Sequence, residues 1–231
     1  MEGRSVDSSV ARVGGLCGFA AGLLTLVAAV LYLLLPPEQR AAVGGAELLP
    51  SVAAGAGILR LEFIVLALVG IFGIGLVPAL ARLVEDANAG LVRWMATLAT
   101  VGYAITSASY FFTLARLPAV AAAYAEGDES TRAALLGVWR SSLDLQGYWQ
   151  FVAVGGFVVV VSWYAARLGR LPNALAAVGV AMGALSILAT VASGARAPSF
   201  LTAVVGVGGV VIAPVWYVWT GAQLWRRADA G

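Results

Sequence analysis

Residues 13–35 read VGGLCGFAAGLLTLVAAVLYLLL, and two prolines, Pro36 and Pro37, follow directly. The stretch is 23 residues long and carries no charge. A secretory leader has an apolar core of only about 7–15 residues, whereas crossing the hydrocarbon of a bilayer takes about 20. The stretch therefore predicts a first transmembrane helix rather than a cleaved leader. Once one span is assigned, each later apolar run becomes a candidate span and each polar interval a candidate loop.

Composition agrees with lipid as the solvent. Apolar residues make up 61% of the 231 positions, charged residues 11%, and the mean hydropathy is +0.92. A soluble domain needs roughly a quarter of its residues charged. A net charge of +2 is too small to suggest nucleic acid as a partner. All 14 basic residues are arginine, and histidine is absent. Lysine-based Schiff bases and imidazole ligation of haem, zinc or copper are thereby excluded. Cys17 is the single cysteine, so no intrachain disulfide or CxxC pair exists. No cofactor and no metal are expected.

Five further apolar runs, at about 61–81, 94–114, 147–166, 173–193 and 200–224, complete a count of six spans in one domain, 1–231. The expected class is all-α: a polytopic bundle of six transmembrane helices, with an interfacial amphipathic helix between spans three and four. Gly14, Gly18 and Gly22 recur every fourth residue, and Gly179 and Gly183 repeat the spacing. Such small-residue stripes let helices approach closely, which predicts helix packing. Residues 38–51 are expected to be a polar, Gly-rich loop.

Orientation follows from arginine in short loops. With the N-terminus inside, eight arginines (Arg4, Arg12, Arg82, Arg93, Arg167, Arg170, Arg226, Arg227) are cytoplasmic and six (Arg40, Arg60, Arg116, Arg132, Arg140, Arg196) are external. Trp94, Trp163, Tyr164 and Trp225 would mark the inner interface; Tyr32, Tyr110, Tyr148 and Trp149 would mark the outer one. Both termini are expected in the cytoplasm of a bacterial cell, the bacterial source being read from the arginine-only, Ala/Gly/Val-rich composition.

Residues 116–150 form the one long interval of mixed polarity and hold four of the twelve acids: Glu126, Asp128, Glu129 and Asp144. Pro118 can kink or end the third helix. Asp128 or Ser130 is a candidate N-cap for a following helix. Leu135, Leu136, Trp139 and Leu143 share one face of that helix, with Arg140, Ser141 and Asp144 on others, as in a helix lying in the interface.

Charge inside a membrane costs several kcal/mol unless paired, about 2.5–3.5 on insertion scales. Arg60, Glu62, Arg116 and Asp144 all fall at the outer ends of spans, near Tyr110, Tyr148 and Gln150. Together these seven residues form a candidate outer binding vestibule, with Arg60 or Arg116 paired to Asp144 or Glu62. The plainer reading is four side chains snorkelling from helix ends. The third span also carries an unusual run of hydroxyls (Thr97, Thr100, Tyr103, Thr106, Ser107, Ser109, Tyr110), suited to helix–helix bonding or to a polar path. No catalytic residue is nominated, because GxSxG, HExxH, P-loop and GxGD motifs are all absent.

The order of motifs resembles a known family. Ala79-Leu-Ala-Arg82, then AGLVRWMATLATVG at 89–102, then Leu143-Asp-Leu-Gln-Gly-Tyr148, then Leu168-Gly-Arg-Leu-Pro172 are similar to an uncharacterised family of bacterial six-span membrane proteins known only as a domain of unknown function. The resemblance covers about residues 14–224. Arg60 matches a basic residue that begins the second span, and Asp144 an acid before the fourth. Glu62 stands where the family prefers a small residue. The resemblance implies the six-span topology and no activity.

Three functions remain open at this level. The first is a non-enzymatic component that binds membrane lipids, a second copy of itself or a partner membrane protein. The second is a small-solute transporter or channel, suggested by the hydroxyl-rich span, by Pro78 and Pro214 in same-direction helices, and by a hairpin-like recurrence of Ala-Arg-Leu at 81–83 and 166–168. The third is an intramembrane enzyme using Asp144 with Arg60 or Arg116.

Overall fold

The structure is a computed structural model that describes residues 8–40, 47–140, 144, 147–195 and 197–230. Arg4, Ser141, Leu143 and Arg196 lie outside the described residues. Among the described residues there is no strand. Backbone amides in hydrocarbon have no water to bond, so an apolar chain closes its hydrogen bonds within helices. The spans are α1 (Ser8–Leu34), α4 (Gly57–Val84), α5 (Ala89–Glu126), α7 (Tyr148–Arg167), α8 (Asn173–Gly194) and a composite sixth, Phe200–Asp229. Short helices α2 (Pro37–Arg40) and α3 (Leu48–Ala54) follow the first span, and α6 (Glu129–Arg140) precedes the fourth. The protein is an all-α, six-span membrane bundle.

The helices exceed the apolar runs because a helix does not end where lipid does. The third runs on for 38 residues, straight through Pro118. Alanine at 119, 121, 122, 123 and 125 supplies strong helix propensity beyond that proline, which outweighs the one amide it removes. The sixth span is α9 (Pro198–Val205), a π-helical segment Gly206–Ile212 and α10 (Ala213–Ala230). The cause of the π geometry is Pro214: its ring crowds the Val210 carbonyl and it cannot donate to it. The Ala213 amide accordingly bonds the Gly208 carbonyl, five residues back.

The spans form a ring in chain order. α1 packs on α4 and α10, α4 on α5, α5 on α7, α7 on α8, and α8 on the sixth span. Side chains fill the centre: Leu76, Leu80, Phe157 and Trp216 are each 1% exposed or less. The hydroxyls of Tyr103 on α5 and Tyr217 on α10 meet across it at 2.6 Å. The glycine stripes sit where helices touch. A Cβ at Gly18 would lie 2.8 Å from the Gly221 Cα, and one at Gly155 would lie 2.8 Å from the Gly183 carbonyl oxygen. Gly14 and Gly22 face Ala79 and Val218, while Gly179 faces Ser162 and Trp216.

The start of α1 and the end of α10 lie together at one end, called the terminal end below, where Arg12 approaches Asp229 at 3.5 Å. Here α7 ends in a Schellman motif: Gly169 takes φ +63°, and the Gly169 and Arg170 amides bond the Ala166 and Ala165 carbonyls at 3.0 and 2.7 Å. That turn projects Arg170, whose guanidinium bonds the Leu83 carbonyl at 2.5 Å and both Asp86 oxygens. Arg227 in turn donates to the Arg170 carbonyl, so three helix ends are joined. Arg170→Gln should cost about 1–2 kcal/mol, the charged bonds being discounted for the exposure of Asp86. Thermal unfolding in detergent, beside Arg12→Gln as an exposed-pair control, reads this directly.

At the other end, residues 41–46 lie outside the described residues, and 38–40 and 48–51 of the expected polar loop belong to the short helices α2 and α3. Leu48, Leu49 and Val52 of α3 are buried with Leu35, Leu59, Phe63, Leu117 and Trp139 in a second apolar cluster. Gln39 Nε2 bonds Ser51 Oγ at 3.0 Å and the Gly55 carbonyl at 2.8 Å, and Arg40 caps the last carbonyls of α1 at Leu33 and Leu35. Asp128, not Ser130, is the cap of α6, accepting from the Thr131 amide at 2.8 Å. Bonds from Thr131, chiefly its side chain, hold the Asp128 carboxyl below its usual range. Leu135 and Leu136 of α6 are half-buried, and Trp139 anchors it to the cluster.

Candidate functional site

The site nominated from sequence lies at the end opposite the termini, where α4, α5 and the entry to α7 meet. Asp144 precedes α7 in a left-handed conformation, φ +45°, and Gly147 follows at φ +68°. A Cβ on Gly147 would meet the Phe151 ring at 2.6 Å, so both conformation and space select glycine there. This hook turns the Asp144 carboxylate onto the helix N-terminus: Oδ1 accepts from the Trp149 amide and Oδ2 from the Gln150 amide, each at 3.1 Å. The acid is satisfied by two otherwise orphaned amides and by the positive end of the helix dipole.

Glu62, one turn inside α4, is 7% exposed. No hydrogen bond or ion pair joins it to another described residue. Tyr110 on α5 is half-buried, stacks at 5.7 Å against Phe63, and is close enough to interact electrostatically with both Glu62 and Asp144. The structure thus brings Glu62, Tyr110 and Asp144 together, with Gln150 joined through its backbone.

The arginines stand apart. Among the described residues no ion pair involves Arg60, Arg116, Glu62 or Asp144, so neither pairing expected from sequence is present there. Arg60 points to the exterior of the bundle, and Arg116 lies over the Phe112 ring at 4.7 Å. Asp144 takes the backbone amides of Trp149 and Gln150 in place of an arginine. Tyr148 is exposed and packs near Gly194 on α8. The result is two carboxylates near Tyr110 rather than a balanced ionic vestibule. Such a site can hold a cationic group; among the described residues no three His, Cys, Asp or Glu side chains converge to hold a metal.

The hydroxyls of the third span are drawn into the packing. Thr97, Thr100 and Thr106 bond carbonyls of their own helix at 2.9–3.0 Å, and Ser107 crosses to the Ala67 carbonyl of α4 at 2.7 Å. Sequence reasoning missed the Tyr103–Tyr217 pair, which joins residues 114 positions apart. It also missed Ser162, Trp216 and Thr220, whose buried polar atoms lack a hydrogen-bond partner among the described residues. Only their placement in apolar runs could have signalled them.

A family model described as a domain of unknown function (DUF4386) matches residues 20–222. The chain belongs to the DUF4386 family. No curated protein and no solved structure matches it. The matched range of DUF4386 takes in Glu62, Tyr110 and Asp144, and it leaves out Gly14, Gly18 and the last arginines of α10. In this DUF4386 member the cap at Asp144 is testable by itself. Asp144→Asn keeps one acceptor and tolerates the left-handed backbone, whereas Asp144→Ala loses both bonds and strains the turn. The alanine variant should lose about 1–2 kcal/mol and the asparagine variant about half as much. Hydrogen exchange at the Trp149 and Gln150 amides should rise in the same order.

Proposed function

We propose that the protein is a non-enzymatic membrane component that binds an amine-bearing phospholipid at the end opposite its termini. The observation that carries this reading is the buried Glu62 carboxyl, which has no ion partner among the described residues and lies within electrostatic reach of Tyr110. An ammonium headgroup supplies the missing charge, the Tyr110 ring favours it further, and Asp144 adds a second negative potential. Lipid is the occupant the surroundings favour, because the bundle is set among acyl chains and Ile58, Leu61 and Ile64, which flank Glu62 on α4, are exposed to them.

A small-solute path is less well supported. It would have to cross Leu76, Phe157 and Trp216, which fill the centre of the ring. Acid–base catalysis by Asp144 is less well supported still, since both its oxygens are committed to α7. For location, the reading is a bacterial cytoplasmic membrane with both termini inside. Arg12, Arg82, Arg93, Arg167, Arg170, Arg226 and Arg227 at the terminal end, against Arg40, Arg60, Arg116 and Arg132 opposite, support that orientation.

The test is native mass spectrometry of the protein released gently from its own membranes. A retained adduct with the mass of an aminophospholipid is expected. An adduct of the chain's own mass would reassign the site to a second copy, and uptake of small solutes by proteoliposomes would restore the transport reading.

A further inference from the structure

The terminal end carries a second feature, built from different residues. Between α4 and α5 lies a groove of about 420 Å³, floored by Pro78, Ala81 and Ala96 and rimmed by Arg82, Glu85 and Arg93. Arg93 holds one oxygen of Glu85 through Nε at 2.6 Å and Nη2 at 2.5 Å. Arg82 approaches the other oxygen only at 3.9 Å. Two guanidinium groups thus share one carboxylate, and the rim is left with a net positive charge. The arginine side chains are 67% and 74% exposed, against 24% for Glu85, so most of their donors are free.

The groove has the position and polarity of a lipid site. Trp94, next to Arg93, is 59% exposed, as an interfacial anchor is. The uncharged lining is apolar at Pro78, Ala81, Val92 and Ala96 and polar at Thr97, and Ile71, two turns from Pro78 on α4, is exposed. Guanidinium forks match phosphate oxygens bidentately, and the leaflet presents phosphates together with acyl chains to fill the floor. We propose that this groove binds the phosphodiester headgroup of an anionic phospholipid from the leaflet on the side of the termini.

The experiment is a lipid titration of the purified full-length protein, followed by native mass spectrometry, with phosphatidylglycerol against phosphatidylcholine. Wild type should prefer phosphatidylglycerol by about tenfold, and Arg82→Gln should remove about fivefold of that preference, as one arginine near an anionic headgroup does. Arg82→Gln leaves the Arg93–Glu85 pair intact, so the fold is not at stake. Glu85→Gln should raise the preference, because it releases both arginines; a merely structural Glu85 would not do this. Arg132→Gln, at an exposed arginine of the opposite end, should leave it unchanged, which separates this groove from surface arginine in general. Equal binding of the two lipids by wild type, a preference that survives Arg82→Gln, or a fall in Glu85→Gln would each overturn the proposal. So would displacement of phosphatidylglycerol by millimolar inorganic phosphate, since the site would then take the free anion.

Discussion

Gly18→Val should force α1 away from α10 and lower the thermal midpoint by roughly 10 °C. The added Cβ would meet the Gly221 Cα at 2.8 Å, the Gly221 nitrogen at 3.0 Å and the Tyr217 carbonyl at 3.1 Å. All three are backbone atoms, so no rotamer change relieves the contact. Overpacking of this kind costs about 3 kcal/mol at the upper end of its usual range, which in a chain of this length is a shift of roughly 6–12 °C. Leu23→Val on the same helix is the control, because Leu23 is 61% exposed and faces lipid. It should leave the midpoint nearly unchanged. Equal midpoints for Gly18→Val and wild type would mean that α1 is not held by this contact.

Glu62→Gln should raise stability and abolish binding together. A carboxylate buried without an ion partner costs free energy in the unliganded protein, and the amide keeps its shape without its charge. A gain of about 1–2 kcal/mol is expected when the protein is stripped of lipid. The ligand should lose its counter-charge and bind at least tenfold more weakly. Stability traded against function in this way marks a recognition residue. A structural Glu62 gives the opposite sign, with Glu62→Gln less stable than wild type.

Much of the bundle was legible in sequence because each span is a long apolar run with at most one charge and hydrocarbon admits only helix. Legibility ended where short-range and long-range effects compete. Pro118 could kink or end the third helix, and the alanines beyond it carried α5 on to Glu126. Residues 38–51 read as a polar loop, although Leu48 and Leu49, with Val52, have an apolar cluster to fill and place the described residues 48–54 in a helix. The last span read as one helix over 200–224, and the π-helical segment ahead of Pro214 was not foreseen.

The candidate site was legible by half. An acid near the start of α7 and another in α4 were evident, as was their nearness to Tyr110. Their partners were not. Asp144 is satisfied locally by the Trp149 and Gln150 amides, a capping bond hidden by the four positions that separate it from the first helical residue. With Asp144 taken and Arg116 over Phe112, Glu62 is left without a cation among the described residues. Pair contacts such as Tyr103–Tyr217 depend on the ring arrangement, which no local pattern encodes.

The most direct measurement is a titration of delipidated wild type and Glu62→Gln with phosphatidylethanolamine, scored against phosphatidylcholine. Wild type should bind the amine-bearing lipid at least tenfold more tightly than the variant does, with the variant folded and no less stable. Equal binding by the two proteins would contradict an ammonium site at Glu62.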